Sequence, residues 1–130
     1  MQFNRIRLLY AEDNDLNAEI LTVLLDKDIY EVKRVVNGKE CVEEYQNTPD
    51  GTYDAIIMDI MMPVMNGYEA TRKIRSLDKP EARRIPIIAL SCQAFNEDIM
   101  EALASGMNAH VAKPININKF ILQLKTLLVK

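Results

Sequence analysis

Short apolar runs alternate with helical patterns along the whole chain. The runs that predict strands are 5–11, 32–36, 55–58, 87–90 and 109–112. Between them, apolar residues recur at spacings of three and four, the period of a helix with one apolar side. The clearest sets are Leu16, Ile20, Val23 and Leu24 in the first helix, and Phe120, Ile121, Leu124, Leu127 and Leu128 in the last. This alternation predicts an α/β fold, with an open parallel sheet and helices on both faces.

The third predicted strand, 55–58, is apolar at every position, as expected for a strand covered on both faces. Turn signals separate the elements, including Asn37 and Gly38 before the second helix and Pro63 and Gly67 before the third. The charged segment 79–84 contains a proline and predicts a solvated loop. A barrel of eight strands needs roughly 200 residues. The 130 residues therefore predict one open-sheet domain, spanning 1–130.

Composition narrows the function classes. Hydrophobic residues make up 48% and charged residues 27%, an ordinary balance for a globular protein in the cytoplasm. The net charge of -3 argues against nucleic acid as a partner, because phosphate backbones favour basic surfaces. No apolar run is long enough for a membrane span or a signal peptide. Cys41, Cys92 and the single His110 lack the spacing of a zinc site.

Polar residues follow four of the predicted strands. Ligands of open α/β sheets bind outside the carboxyl ends of the strands, so these residues are the candidate site. The set is Glu12 and Asp13 after strand one, Asp59 after strand three, Ser91 after strand four and Lys113 after strand five. It combines three carboxylates, one hydroxyl and one ammonium group.

Three clustered acids repel one another, and a cation is needed to offset that repulsion. Oxygen ligands without a neighbouring His or Cys favour a hard cation, so we expect Mg²⁺ or Mn²⁺ at Glu12, Asp13 and Asp59. The backbone carbonyl of Met61 is a further candidate ligand. With the metal in place, an Asp59 oxygen can attack a phosphoryl group. Lys113 and Ser91 would then bind the remaining phosphoryl oxygens.

The order of these residues resembles the response regulator receiver family over nearly the whole chain. The corresponding residues are Glu12 and Asp13 as metal ligands, Asp59 as phosphoacceptor with Pro63 and Gly67 in its loop, Ser91 as the hydroxyl residue, and Lys113 followed by Pro114. A cis bond between Lys113 and Pro114 also fits this context. Any one match would be weak, but the ordered combination is specific.

The resemblance implies a flavodoxin-like, doubly wound sheet with strand order 2-1-3-4-5. It implies that Asp59 takes a phosphoryl group from a histidine kinase or a histidine phosphotransfer protein, with no external substrate turned over. Ser91 and an aromatic residue then shift the face made by the fourth helix, fifth strand and fifth helix. His110 occupies that aromatic position, a departure from tyrosine. Receivers of the family use this face for homodimers or for docking a partner. Residues 11–14 together with Leu16 and Asn17 resemble the carboxyl-terminal receivers of hybrid histidine kinases, and a single-domain regulator is the other form that the resemblance allows.

Three other functions compete with this prediction. A phosphatase of the haloacid dehalogenase type needs a second acid two residues after its nucleophile, where this chain has Met61. A flavin- or nucleotide-binding module would have a glycine-rich loop after strand one, but residues 12–15 are acidic or amide-bearing. A pseudo-receiver that only binds proteins would not need the intact acid, hydroxyl and lysine set.

Overall fold

A single parallel sheet organises the chain in the computed structural model, which describes residues 5–92 and 96–128. Its strands are β1 (Ile6–Ala11), β2 (Tyr30–Val35), β3 (Ala55–Asp59), β4 (Ile87–Ser91) and β5 (Ala109–Ala112). They pair in the order β2-β1-β3-β4-β5, and every neighbouring pair is parallel. The predicted flavodoxin-like strand order is therefore confirmed.

Helices connect the strands and cover both faces of the sheet. They are α1 (Asp15–Leu24), α2 (Gly38–Gln46), α3 (Gly67–Arg75), α4 (Asn96–Ser105) and α5 (Ile117–Leu128). Among the described helix starts, four lie behind an asparagine whose side chain accepts a backbone N–H of the first turn: Asn14 before α1, Asn37 before α2, Asn66 before α3 and Asn116 before α5. Such a cap stabilises a helix by about 1 kcal/mol and sets where it starts.

The core lies on both sides of the sheet. One cluster joins β3 and β4 to α2 and α3, as in the contacts of Met58 and Ile74. The other joins the opposite face to α1 and α5 through Tyr10, Leu21 and Phe120. Because β3 and β4 are central, all of their residues are buried, which accounts for the uninterrupted apolar run at 55–58.

The apolar pattern of α1 correctly marks a helix, but most of that pattern does not pack on the sheet. The residues that pack are Ala18 and Leu21, with Leu25 just beyond the helix. The exposed apolar side chains are Leu16, Ile20, Val23 and Leu24, at 65%, 46%, 69% and 44% of full exposure. Helix α1 therefore has two apolar sides. The inner side packs on the sheet, and the outer side is exposed to solvent.

The segment 79–84 is not the solvated loop that its charges predict. Pro80–Arg83 forms a short 3-10 helix, and Ala82 is fully buried in the core. The Lys79 ammonium donates to the carbonyls of Tyr45 and Thr48 at the end of α2 and lies 4.5 Å from the centre of the Tyr45 ring. Carbonyls at a helix end attract a cation. These carbonyls lie more than thirty residues from Lys79 in sequence, so the sequence pattern around Lys79 gives no sign of the contact.

Candidate functional site

The carboxyl ends of the strands bring the predicted acidic residues together. Glu12 follows β1, and Asp59 is the last residue of β3. Carboxylate oxygens of Glu12, Asp13 and Asp59 all lie within 4.8 Å of one another. Glu12 and Asp59 are buried, while Asp13 is exposed at the mouth of the cluster. The predicted convergence of the three acids is thus present in the structure.

Lys113 reaches into this acidic cluster from the end of β5. Its Nζ lies 3.0 Å from Glu12 Oε1 and 3.3 Å from Asp59 Oδ2, and its side chain is only 12% exposed. Its backbone N–H donates to the Ser91 carbonyl at 2.8 Å, which ties the turn after β5 to the end of β4. The peptide bond between Lys113 and Pro114 is cis, as predicted. One ammonium group therefore contacts the two buried acids.

The electrostatics of the cluster shift the pKa values of its two buried carboxyl groups in opposite directions. Burial and the neighbouring Glu12 raise the pKa of Asp59 to about 7. Burial alone would also raise the pKa of Glu12, but hydrogen bonds with Asp59 and Lys113 outweigh it and lower that pKa. Burial alone would lower the pKa of Lys113, yet the two acids raise it. One ammonium thus does not balance the acids, and without a further cation a proton on Asp59 relieves the repulsion.

A glycine lets the loop after Asp59 close tightly. A Cβ atom at Gly67 would lie 2.5 Å from the Asp59 carbonyl oxygen, a distance that real contacts do not show. The Gly67 N–H also donates to the Ile60 carbonyl at 3.0 Å, so α3 begins directly against the end of β3. Within this loop the Met61 N–H donates to Asp59 Oδ1 at 3.3 Å, while the Met61 side chain is 69% exposed. The Met61 carbonyl as a metal ligand stays a prediction.

Ser91 lies on β4, next to β3, and His110 lies on β5, the strand beyond β4. Ser91 is buried at the end of β4, one position beyond the residue paired with Asp59. His110 is half-buried on β5 and pairs in register with Ala89. The His110 Nε2 atom is buried and makes no hydrogen bond within the described part of the chain. Both residues lie on the strands where the sequence predicted them, and their roles in phosphoryl binding and switching stay predictions.

Two residues that the sequence did not single out also hold Glu12. The Tyr10 hydroxyl donates to Glu12 Oε1 at 3.4 Å, and Arg34 Nε donates to the Glu12 carbonyl at 2.8 Å. Burial, and next to it Glu12, raises the pKa of Tyr10, so its phenol keeps its proton. Tyr10 and Arg34 pair in register on β1 and β2. The sequence signal for both residues is a polar side chain near the carboxyl end of a strand, Tyr10 on β1 and Arg34 on β2.

The family model of the response regulator receiver domain matches residues 8–125, which include all five candidate site positions. The chain belongs to the response regulator receiver family. This receiver carries the acidic cluster, the lysine and the hydroxyl residue at its carboxyl edge, so the pseudo-receiver alternative is not favoured.

Curated relatives of this receiver include histidine kinases. It is 38% identical over 112 residues to hybrid signal transduction histidine kinase I of Dictyostelium discoideum, covering 85% of this chain and 6% of that protein. It is 33% identical over 122 residues to the peroxide stress-activated histidine kinase mak1 of Schizosaccharomyces pombe, covering 93% of this chain and 7% of that protein. The chain thus spans less than a tenth of the length of these relatives.

Solved structures with this architecture are receivers as well. The receiver domain of sensor histidine kinase PA1611 from Pseudomonas aeruginosa, with a magnesium ion in its active site cleft, is 34% identical with a TM-score of 0.84, covering 96% of this chain and 98% of that chain. The Saccharomyces cerevisiae Ssk1 receiver, in complex with the histidine phosphotransfer protein Ypd1, is 31% identical with a TM-score of 0.81, covering 95% and 88%.

These similarities identify a receiver domain of two-component phosphorelay signalling. In the parts of the chain that the structure describes, no helix has the length and apolar character needed to cross a membrane.

Proposed function

We propose that this receiver takes a phosphoryl group from a phosphohistidine onto Asp59, in a reaction that depends on a divalent cation. The observation that carries the proposal is the contact of Lys113 Nζ with a buried Asp59 carboxylate inside a cluster of three acids. A buried aspartate at the end of a central strand is an isolated nucleophile, shielded from competing reactions. The lysine beside it supplies positive charge where a phosphoryl group would arrive.

The donor set fits Mg²⁺ or Mn²⁺. Every candidate ligand is an oxygen, and the acids outnumber the nearby ammonium groups by three to one. Glu12, Asp13 and Asp59 would hold the ion, with the Met61 carbonyl as a fourth ligand from the protein. When bound, the cation neutralises the acids and accepts one phosphoryl oxygen.

The residues of the chain carry the transfer itself. A phosphorus–oxygen bond forms to an Asp59 carboxylate oxygen as the phosphorus–nitrogen bond of the phosphohistidine breaks. The histidine nitrogen keeps the electron pair of that bond, and the ring leaves as neutral imidazole because its other nitrogen carries a proton. Lys113 and the Ser91 hydroxyl bind phosphoryl oxygens as negative charge spreads over them. Hydrolysis of the product by water returns Asp59, so no external substrate is turned over.

The outer side of α1 is the proposed docking surface for the phosphodonor. Helix α1 begins two residues after Asp13, so its first turn lies beside the acidic cluster. Leu16, Ile20 and Val23 are exposed there at helical spacing. An amphipathic helix that carries the donor histidine, from a histidine kinase or a histidine phosphotransfer protein, would bury these side chains. The Ypd1 complex of the yeast receiver supports this class of partner.

Output is proposed to run through β5 to α4 and α5. Ser91 would move toward the phosphoryl group, and the half-buried His110 ring would change position next to it. Met100, Leu103 and Leu122 are exposed apolar residues on α4 and α5, at 67%, 56% and 67%. They offer a face for a second copy of the chain or for an output partner.

The test uses Mg²⁺ and a small acyl phosphate, followed by intact-mass measurement. One phosphate adduct is expected on the wild type, and none on Asp59→Asn or in excess chelator. Asp54→Asn is the matched control, because Asp54 lies just before β3, is exposed, and its carboxylate accepts the Arg7 N–H, which an asparagine oxygen can also accept. No adduct from the acyl phosphate or from a phosphorylated histidine phosphotransfer protein would favour a pseudo-receiver.

A further inference from the structure

Arg34 on β2 links three parts of the chain at the edge of the acidic cluster. Its Nε donates to the Glu12 carbonyl at 2.8 Å, and its Nη1 donates to the Asp15 carboxylate at 2.8 Å. The next residue of β2, Val35, accepts the Glu12 N–H at 3.0 Å. Strand β2 therefore holds Glu12 through both its N–H and its carbonyl, and it also holds the first residue of α1.

These contacts restrict the residue that follows Glu12. The Glu12 carbonyl belongs to the planar peptide unit that leads into Asp13, so fixing the carbonyl oxygen fixes the direction in which Asp13 leaves the strand. Asp13 is exposed, and burial does not constrain its side chain as it does for Glu12 and Asp59. The position of its carboxylate depends on the backbone that carries it.

The guanidinium is not arranged for stability alone. Arg34 Nη2 is buried and makes no hydrogen bond to the described residues. A buried donor without a partner lowers the stability of the fold. An aliphatic residue on this strand would avoid that cost, but it could not hold the Glu12 carbonyl.

We propose that Arg34 is a positioning residue for the metal site, which holds the peptide between Glu12 and Asp13 so that both carboxylates converge on the cation. This inference rests on the proposed function. Outer contacts of this kind orient metal ligands, and their loss weakens metal binding by about 10–100-fold.

Charge and positioning predict opposite effects at this residue. A guanidinium close to a cation site repels the cation, so a neutral replacement would tighten Mg²⁺ binding if charge were its only influence. If Arg34 positions the ligands, the same replacement weakens Mg²⁺ binding. Arg34→Lys keeps the charge but loses the planar fork that contacts Glu12 and Asp15 together.

The experiment measures the Mg²⁺ Kd of the unphosphorylated chain by titration calorimetry. Arg34→Met and Arg34→Lys are each expected to raise the Kd about tenfold. Arg5→Met is the matched control, because Arg5 forms a similar ion pair with Glu31 at 2.9 Å, at the start of the same two strands and far from the site. Its Kd is expected to stay at the wild-type value.

A second readout separates positioning from general damage to the fold. At saturating Mg²⁺, the phosphorylation rate of Arg34→Lys is expected within about twofold of wild type, because the defect lies in metal affinity. Thermal unfolding in chelator checks that each variant folds, and Arg34→Lys decides the question if Arg34→Met does not. An unchanged Kd in Arg34→Lys, or a tighter one in Arg34→Met, would overturn the positioning role alone. A wild type that binds no Mg²⁺ would overturn the proposed function as well.

Discussion

Two largely buried lysines, one at the carboxyl ends of the strands and one at their amino ends, have very different surroundings. Lys113 at the carboxyl edge and Lys79 at the amino edge both have side chains that are 12% exposed, and each pairs with an acid. Lys113 contacts two acids that are themselves almost fully buried. Lys79 pairs with Asp50, whose side chain is 40% exposed, and its other contacts are backbone carbonyls and the Tyr45 ring.

The difference lies in charge balance rather than in burial of the lysine. At the amino edge, neutral carbonyls, an aromatic ring and one solvated acid satisfy the ammonium, so nothing further has to bind. At the carboxyl edge, three acids share one ammonium, and the raised pKa of Asp59 reports the imbalance. A largely buried site that is short of positive charge favours binding of a cation.

The largest expected effect separates the two lysines directly. Lys113→Met removes the ammonium that contacts Asp59 and is expected to slow phosphorylation by acyl phosphate about 100-fold at saturating Mg²⁺. Lys79→Met is expected to stay within about twofold while lowering the free energy of unfolding, because α2 loses its carbonyl contacts. Stopped-time intact-mass measurements give both rates. Equal phosphorylation rates in the two variants would contradict the claim that Lys113, and not Lys79, contributes to phosphoryl transfer.

Aspartates at the two ends of β3 provide the second test, through stability without metal. Because the pKa of Asp59 is raised to about 7, the folded state holds a proton that the unfolded state loses near pH 4. Wild-type stability therefore falls as pH rises from about 4 to about 7. Asp59→Asn removes this pH dependence, so its free energy of unfolding at pH 8 should be about 2 kcal/mol higher than that of wild type. The gain is smaller than the Asp59 shift alone would give, because the lowered pKa of Glu12 acts in the opposite direction.

Urea unfolding in chelator at pH 4 and pH 8 measures this effect. The two proteins should converge at the lower pH, and Asp54→Asn, at the exposed end of the strand, should stay within about 0.5 kcal/mol of wild type at both. A destabilised Asp59→Asn at pH 8 would contradict the view that the Asp59 charge strains the metal-free fold.

The third test asks whether the phosphodonor protein docks on the exposed apolar side of α1, beside the acidic cluster. Leu16→Ser is expected to slow transfer from a phosphorylated histidine phosphotransfer protein about tenfold, through lost apolar contact with the partner. Leu122→Ser on α5 is the control, because the two leucines are 65% and 67% exposed. Transfer from acyl phosphate should be unchanged in both. If the two variants slow protein-dependent transfer equally, α1 is not the docking surface.

The smallest effect concerns the exposed Met61 side chain close to Asp59. Met61 is apolar and 69% exposed, two residues after Asp59. Its side chain should hinder water at the phosphorylated aspartate, so Met61→Asn is expected to speed loss of the phosphate about threefold. Decay of the intact-mass adduct after removal of the donor measures this rate. Val64→Asn, on an equally exposed residue of the same loop at 76%, should leave the decay unchanged.

Much of the site could be predicted because its information is local in the chain. Each acid follows an apolar strand directly, and parallel strands end at one edge, so strand ends and acids together specify the cluster. The same reasoning placed Ser91 and Lys113 on neighbouring strands. It also accounts for the predicted sheet, since buried parallel strands are apolar throughout and the flanking helices keep their own period.

By itself, then, the sequence determined the order of the elements, the location of the site and the residue types that meet there. Only the tertiary structure decided which apolar side of α1 is covered, because a helix with two apolar sides looks the same in sequence whichever one packs. It also decided that Lys79 is buried against α2 and that Arg34 and Tyr10 hold Glu12. The contacts of Lys79 and Arg34 join residues more than twenty positions apart in the chain, so they form only when the sheet and its helices assemble. Tyr10 lies two residues before Glu12, but their side chains meet in a buried contact that also depends on the assembled sheet.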